Sequence, residues 1–279
     1  MLQKCFIIYM NYVYVNLIYG DDNETFLNTL IFIISLKKTN PKYKIILCHT
    51  NDISKNKLKI LKKYYYKFIK IDYINVEGIL KERFTKIFTK LEIFKLTQFD
   101  KILFLDTDMY VLKNIDHIFS LNTPAAMIIS PNLNYKHNQS IIIGNSIINA
   151  GFMLLKPNLN DYNKMIQKLK TYNFSDPNLE QKFLSVYFKR WNNISYLYNF
   201  QFALIYKEGK RSDTYKKTKF DDIFVIHYSS KKKPYYYMNN KSETYFNFRQ
   251  FYDKWINQFK KVKKYYLLKQ ISIENILLK

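Results

Sequence analysis

Asp106 and Asp108 are separated by a single threonine and follow the run Lys101-Ile102-Leu103-Phe104-Leu105 without a gap. Fourteen aspartates in 279 residues give about 0.7 such pairs by chance, so the spacing alone carries little. The position carries more. Five residues of this kind read as a buried strand, and in a parallel α/β sheet ligands collect outside the carboxyl ends of the strands. In extended backbone, residues i and i+2 project to one side. Two carboxylates facing one space repel each other unless a cation lies between them, and hard oxygen ligands select Mg2+ or Mn2+. The competing assignment is a solvated turn at a strand end. A cation held by two carboxylates keeps open positions, which a substrate phosphate commonly fills. His227 is the best third protein ligand, because it closes the apolar run Ile223-Phe224-Val225-Ile226 and precedes Lys231-Lys232-Lys233-Pro234. Cations beside a metal are what a diphosphate requires. A structural hydrogen bond is the competing role for such a histidine; His49, His117 and His137 have no comparable surroundings.

These groups need elements to position them. Apolar runs predict strands over 12–19, 44–48, 68–74 and 101–105, separated by helices over 24–38, 54–66 and 85–99. Ser54 is the expected N-cap of the second helix. The third carries Ile87, Phe88, Leu91, Phe94 and Leu96 at a helical period, with Lys and Glu opposite. This alternation is the pattern of an α/β fold with a mostly parallel, Rossmann-like central sheet flanked by helices. Further strands are expected over 125–130, 147–155 and 222–227, helices over 160–172 and 178–189, and a basic, aromatic helix over 245–264. With no internal repeat and no Pro/Gly/Ser linker, the organisation expected is one domain over 1–240 and a basic C-terminal helical extension over 241–279.

Composition narrows the partners. The chain carries 45 Lys+Arg against 22 Asp+Glu, a formal net charge of +23, with 48% hydrophobic residues. That apolar content excludes a disordered chain despite the charge. Only Arg83, Arg190, Arg211 and Arg249 are arginines. Nucleic-acid readers favour Arg, whose planar fork matches phosphates and guanine edges, and the excess of Lys, Asn, Ile and Tyr resembles A/T-rich coding bias. A non-catalytic binder of nucleic acid or anionic membrane is therefore the alternative reading, supported by the Lys260–Tyr266 stretch of interleaved lysines and aromatics. Cys5 and Cys48 are too few for a disulfide framework or a cysteine-built zinc site. The apolar opening, Cys5–Tyr19, is interrupted by Asn11 and Asn16 and is shorter than the ~18–20 clean apolar residues of a spanning helix. With no cleavage site either, the expectation is a soluble, cytoplasmic protein, in which the five N-x-S/T sequons carry no weight.

Four blocks, taken in order, resemble the glycogenin-type family of retaining nucleotide-sugar glycosyltransferases, which have the GT-A fold. They are Thr89-Lys90-Leu91 leading to Asp100–Asp108, Asn149-Ala150-Gly151-Phe152 with Pro157, Asp176 with Glu180-Gln181, and His227-Tyr228-Ser229-Ser230-Lys231-Lys232-Lys233-Pro234-Tyr235. The resemblance spans residues 12–237. It implies that Asp106, Asp108 and His227 hold Mn2+ (or Mg2+), that Lys233 grips the diphosphate, and that Lys90 lies near the donor phosphate or sugar. It further implies a catalytic role for Glu180 and Gln181 and donor contacts from Asn149, Ala150, Gly151, Thr107 and Ser230. Asn16, Leu17 and Tyr19, at the end of the first strand, would meet the base and ribose, and Arg83 the donor.

Three positions depart from the family pattern. Ser230 stands where the family prefers Gly, Tyr235 replaces Trp, and Glu180 replaces a usual Asp. The last change moves a carboxylate by about 1 Å, enough to retune rate or donor choice if that group acts at the anomeric carbon. The implied activity is transfer of a sugar from a UDP-sugar (glucose, galactose or N-acetylglucosamine) to a hydroxyl of a glycan, protein or small molecule. Front-face attack is preferred over a covalent step on Glu180. Tyr198-Asn199 with Tyr206 is similar to the segment bearing the self-glucosylated tyrosine of that family. A homodimer is a further expectation.

Overall fold

The computed structural model describes residues 10–76, 85–130, 135–174, 178–201, 204–205, 210–230, 232–238 and 240–268. Cys5, Arg83, Asp176, Tyr206, Lys231 and the end of the C-terminal extension, 269–279, lie outside the described residues.

The first half builds the sheet. β1 (Tyr12–Ile18) passes through Gly20, at φ 75°, into α1 (Asn23–Lys38). Asp22 caps α1, its Oδ1 accepting from the Thr25 amide at 2.7 Å. β2 (Lys44–His49), α2 (Lys55–Leu61), β3 (Lys67–Lys70), a 3-10 helix (Ile87–Lys95) and β4 (Lys101–Leu105) follow. The second half adds β5 (Met109–Val111), β6 (Ala125–Ile129), β7 (Ser140–Ile142), β8 (Ile147–Leu155), α3 (Leu159–Leu169), α4 (Leu179–Phe188) and β9 (Arg190–Asn193). It ends with α5 (Lys210–Lys217), β10 (Val225–His227), α6 (Glu243–Asn247) and α7 (Arg249–Leu268).

Eight strands form one sheet in the order β3-β2-β1-β4-β8-β6-β9-β7, and β5 pairs antiparallel with β10 beside it. β3, β2, β1 and β4 are parallel neighbours, β8 runs antiparallel to β4 and β6, and β6 is parallel to β9. The sheet is mostly parallel, as its alternating pattern predicts. Its strands are apolar on both faces. Tyr14, Ile18, Leu103 and Leu105 enter one hydrophobic cluster with α1 and α7, whereas Val13, Val15, Leu17, Ile102 and Phe104 enter another with the 3-10 helix, α3 and α4. Single-residue alternation between the clusters is the period of a pleat covered on both sides.

Several elements differ from the sequence reading. The segment expected as an α-helix over 85–99 is a 3-10 helix over Ile87–Lys95, and two of its charged residues, Lys90 and Glu92, are buried rather than on an exposed face. It is wedged between the sheet and α3, where the Tyr162 hydroxyl donates to Glu92 Oε1 at 2.6 Å. The β-branched Ile87, Thr89 and Ile93 also favour α-helix less than straight chains do. α2 stops at Leu61 because the chain turns to let the Tyr66 amide reach the Ile45 carbonyl at 2.9 Å. Ser54 sits at its N-cap without a side-chain cap bond. The late strand starts at Val225, after a 3-10 turn over Phe220–Asp222. β5, β7 and β9 were not expected; each has three or four residues, too few for a period to show.

α7 is basic and aromatic, and four of its aromatics turn inward. Phe251, Tyr252, Trp255 and Phe259 are buried in the cluster that also holds α1. These four rings cannot stack on bases, whereas Tyr265, within the Lys260–Tyr266 stretch, is exposed. No helix among the described residues is long and apolar enough to cross a membrane.

Candidate active site

β4 delivers the aspartates to the carboxyl edge of the sheet. The pleat ends at Leu105 and residues 107–108 form a turn, so the carboxylates are not presented by strand alternation as expected. Backbone bonds place them instead. The Asp106 amide donates to the Gly151 carbonyl of β8 at 2.8 Å, and the Tyr228 amide, just past β10, donates to the Asp108 carbonyl at 2.9 Å. One ligand atom each from Asp106, Asp108 and His227 then lies within 4.8 Å of the others.

Two lysines flank this trio. Lys90 Nζ, from the 3-10 helix, is 3.1 Å from Asp106 Oδ1 and 3.7 Å from Glu180 Oε1, and donates to the Ala150 carbonyl at 3.1 Å. Burial alone would lower its pKa, but Asp106 and Glu180 outweigh it and hold the ammonium above its ordinary range. Burial raises the Glu180 carboxyl, with Lys90 opposing and Asp106 adding to the rise. On the other flank, Lys233 Nζ donates to Asp108 Oδ2 and to the Tyr228 carbonyl, both at 2.6 Å. Burial would raise Asp108, yet His227 and Lys233 dominate and hold it well below the usual carboxylate range.

His227 is oriented from behind. Its Nδ1 is 2.7 Å from Asn199 Oδ1, while Asn199 Nδ2 donates to Asn149 Oδ1 at 2.8 Å; the Gly151 amide donates to the same oxygen at 2.9 Å. Because Asn199 presents its oxygen to the ring, Nδ1 carries a proton and Nε2 is turned toward Asp108. That nitrogen lies 3.2 Å from Asp108 Oδ1, a buried oxygen with no hydrogen-bond partner. A proton on that nitrogen or a cation between the two atoms satisfies the pair. The space is also kept clear: a Cβ on Gly151 would lie 2.7 Å from His227 Cε1 and 2.9 Å from Asp106 Oδ2. Two carboxylates and an imidazole, arranged in this way, fit a divalent cation such as Mn2+.

A cavity of about 260 Å³ opens over Asp106 and Asp108. Leu17, Tyr19, Lys90, Asp106, Thr107, Asp108, Glu180 and Lys233 line it, all of them anticipated from sequence. Burial, partly opposed by Lys90, pushes the Tyr19 phenol up to about 12. Glu24, Thr25 and Asn28 of α1 line it too and were missed. They carry no motif, and only the packing of α1 beside β5 reveals them. Asn16 is fully buried behind the cavity; its Nδ2 donates to the Leu105 carbonyl at 2.7 Å and braces the end of β4. Gln181 turns to β8, accepting from the Ala150 amide at 3.3 Å, and Ser230 donates to the Lys232 carbonyl at 2.6 Å. Asn199 was also missed in this role. The Tyr198 hydroxyl beside it is engaged by His117 Nε2 at 2.7 Å.

Comparison with known proteins agrees with this geometry. The family model described as glycosyl transferase family 8 matches residues 16–238. An uncharacterised protein of Acanthamoeba polyphaga mimivirus is 37% identical over 273 residues, 91% of this chain and 95% of that protein. Inositol phosphorylceramide glucuronosyltransferase 1 of Arabidopsis thaliana is 30% identical over 64% of this chain, and glycogenin of Neurospora crassa 27% identical over 53%. The aligned regions are only 30% and 19% of those two longer proteins. Among solved structures, the galactosyltransferase LgtC in complex with donor and acceptor sugar analogues superposes with a TM-score of 0.59 at 13% identity, over 88% of this chain and 99% of that one. GlyE of Streptococcus pneumoniae gives 0.62 at 18% identity, over 94% and 64%. These structures share the GT-A fold with the chain. The chain belongs to glycosyl transferase family 8 and is a glycosyltransferase.

Proposed function

We propose that this chain transfers a hexosyl unit from a UDP-sugar to a hydroxyl acceptor with retention at the anomeric carbon. The observation that carries the proposal is that Asp106 and Asp108, which converge with His227, line one cavity with Lys90, Glu180 and Lys233. In this reading Asp106, Asp108 and His227 hold Mn2+, which when bound supplies positive charge to the departing nucleoside diphosphate. Lys233 moves from Asp108 to the diphosphate and stabilises its leaving oxygens. Lys90 holds Glu180 and Asp106 apart and fixes the wall along which the sugar lies. The C1–O bond to phosphate breaks through an oxocarbenium-like state. The acceptor oxygen bonds to C1 from the same face, and its proton passes to the departing phosphate oxygen. Glu180, kept in place by Lys90, steadies the developing positive charge on the sugar. The division at residue 240 belongs to this proposal, with 241–279 serving as an extension whose helix α7 supports α1.

Glucose, galactose and N-acetylglucosamine are the proposed donors. Relatives named for glucuronate transfer, including the putative UDP-glucuronate:xylan alpha-glucuronosyltransferase 5 of Arabidopsis thaliana, add glucuronic acid to the panel. Thermal unfolding should rise on adding UDP with Mn2+ and not with UDP alone, since ligand at ~100 times Kd adds about 2.7 kcal/mol. One UDP-sugar of the panel should then be hydrolysed in a Mn2+-dependent manner. Absence of any UDP effect with Mn2+ overturns the proposal.

A further inference from the structure

Tyr19 follows β1 and lines the cavity; the chain then turns at Gly20 into α1, whose Glu24 and Thr25 line it again. The pose of this turn therefore sets one wall of the cavity. Gly20 lies at φ 75°, past the last pairing of β1, and its amide needs a partner of its own. Tyr73 supplies it. The Gly20 amide donates to Tyr73 Oη at 3.1 Å, and the Tyr73 hydroxyl donates to Asp52 Oδ2 at 2.5 Å. An ionised carboxylate only accepts, so Asp52 fixes the direction of both bonds. Burial would raise the Asp52 carboxyl, but the hydroxyls of Thr50 and Tyr73 outweigh it and hold it below its ordinary range. The phenol proton is committed to Asp52, which leaves a lone pair facing Gly20.

The ring of Tyr73 is held as firmly as its hydroxyl. It meets the Tyr19 ring edge-on, with centroids 6.1 Å apart and planes at 74°, and the Lys86 ammonium lies 4.2 Å from its centroid. The next amide, that of Ile74, donates to Thr89 Oγ1 at 3.2 Å, beside Lys90 on the 3-10 helix. Thr50, which also donates to Asp52, gives its amide to the Ile18 carbonyl at 3.3 Å. Tyr73 thus ties the end of β1 to the end of β2 and to the 3-10 helix, while standing outside the cavity lining itself. We infer that Tyr73 is a positioning residue for donor binding, which holds the Gly20 turn and the Tyr19 ring in the pose that completes the cavity wall. The inference takes its ligand from the UDP-sugar reading and adds to it a bridge, Asp52 to Tyr73 to Gly20, behind the residues that meet the donor.

Tyr73→Phe keeps the ring against Tyr19 and removes the bridge. Tyr19-Gly20 is the only Tyr-Gly pair in the sequence, so 13C at the tyrosine carbonyl with 15N in glycine isolates the Gly20 amide by nuclear magnetic resonance. Its hydrogen exchange should be faster in Tyr73→Phe than in the parent, a readout that needs no ligand. Calorimetric titration of the full chain with UDP in saturating Mn2+ should show binding weakened at least about threefold, the scale of one neutral hydrogen bond. In a Tyr19→Ala background the same change should cost less than about twofold, because a residue that acts by positioning Tyr19 then has nothing to position. Unchanged Gly20 exchange overturns the inference. So does faster exchange with UDP affinity kept, or a full loss of affinity that persists in the Tyr19→Ala background; each leaves the UDP-sugar reading intact. A parent chain that binds no UDP in Mn2+ overturns the reading itself and the inference with it.

Discussion

The two aspartates of the site are each paired with a lysine, and the pairs are built differently. Lys90 stands on a 3-10 helix wedged against the sheet, is 7% exposed, and has three partners in Asp106, Glu180 and the Ala150 carbonyl. Lys233 stands on the loop after β10 and, among the described residues, is bound to Asp108 and the Tyr228 carbonyl. Ala150 and Glu180 themselves belong to β8 and α4, whereas the Lys233 loop leaves the two-stranded β5–β10 pair. One cation is therefore part of the scaffold and the other is free to change partner. A diphosphate, carrying more charge than a single carboxylate, is the natural competitor for the second. The comparison separates a group that shapes the site from one that responds to its ligand.

The strongest way to break this picture is at Asp108, which serves both the trio and Lys233. Asp108→Asn should lower Mn2+-dependent UDP-sugar hydrolysis about 10²–10³-fold. Initial rates measured across a Mn2+ series would show it, and a loss under tenfold would remove Asp108 from the metal site.

The two lysines should then fail in different currencies. Lys90→Met leaves buried Glu180 and half-buried Asp106 without their cation, a loss of about 3 kcal/mol of stability. Urea denaturation monitored by tryptophan fluorescence measures that cost. Lys233→Ala should instead weaken UDP binding roughly tenfold to a hundredfold, a charged hydrogen bond being worth about 1.5–3 kcal/mol, with a smaller change in stability. Equal destabilisation by the two changes would erase the distinction between scaffold and responder.

Much of this contrast was legible in the sequence because the two halves of the fold carry different amounts of signal. β1, β2 and β4 are apolar runs covered on both faces, so both their existence and their parallel order could be read. Asp106, Asp108 and His227 each follow such a run, and a strand end fixes where the next side chain emerges. The 3-10 helix was misread because Lys90 and Glu92, taken for a solvated stripe, are buried against the sheet and α3, although the sequence placed Lys90 near the site. β5, β7 and β9 were invisible at three or four residues. Glu24, Thr25 and Asn28 were missed because a helix pattern names a buried face but not what that face looks into. Asn199 was noticed only for the tyrosine beside it. Its function depends on three segments, β8, β10 and the turn at 196–198, meeting in space.

That meeting is itself testable, with a smaller effect. Asn199 fixes the His227 tautomer and is tied through Asn149 to the Gly151 amide. Asn199→Ala should free the ring and weaken Mn2+ affinity about 10–100-fold, the usual cost of losing a partner behind a metal ligand. Electron paramagnetic resonance of free Mn2+ reads this directly without reference to turnover. Asn199→Asp, which keeps an acceptor facing Nδ1, should recover most of the affinity. If alanine and aspartate behave alike, the residue packs rather than orients.

The smallest expected effect separates the flanks by sign. Asp108 is depressed below its ordinary 3.8, so the unfolded chain binds the extra proton between the folded value and 3.8. Its stabilisation is present above pH 3.8 and is lost as pH falls through the folded value. Glu180 is raised above its ordinary 4.5, so between 4.5 and the folded value the folded chain binds the extra proton. Stability from this group falls as pH rises through that window. A metal-free stability profile should therefore climb on leaving strong acid and lose part of the gain above pH 4.5. Asp108→Asn should remove most of the climb, and Glu180→Gln should remove the later loss. A Glu180→Gln profile that keeps the decline would show that Lys90 fully compensates the buried carboxylate, making the Asp106 flank as well matched in charge as the Asp108 flank.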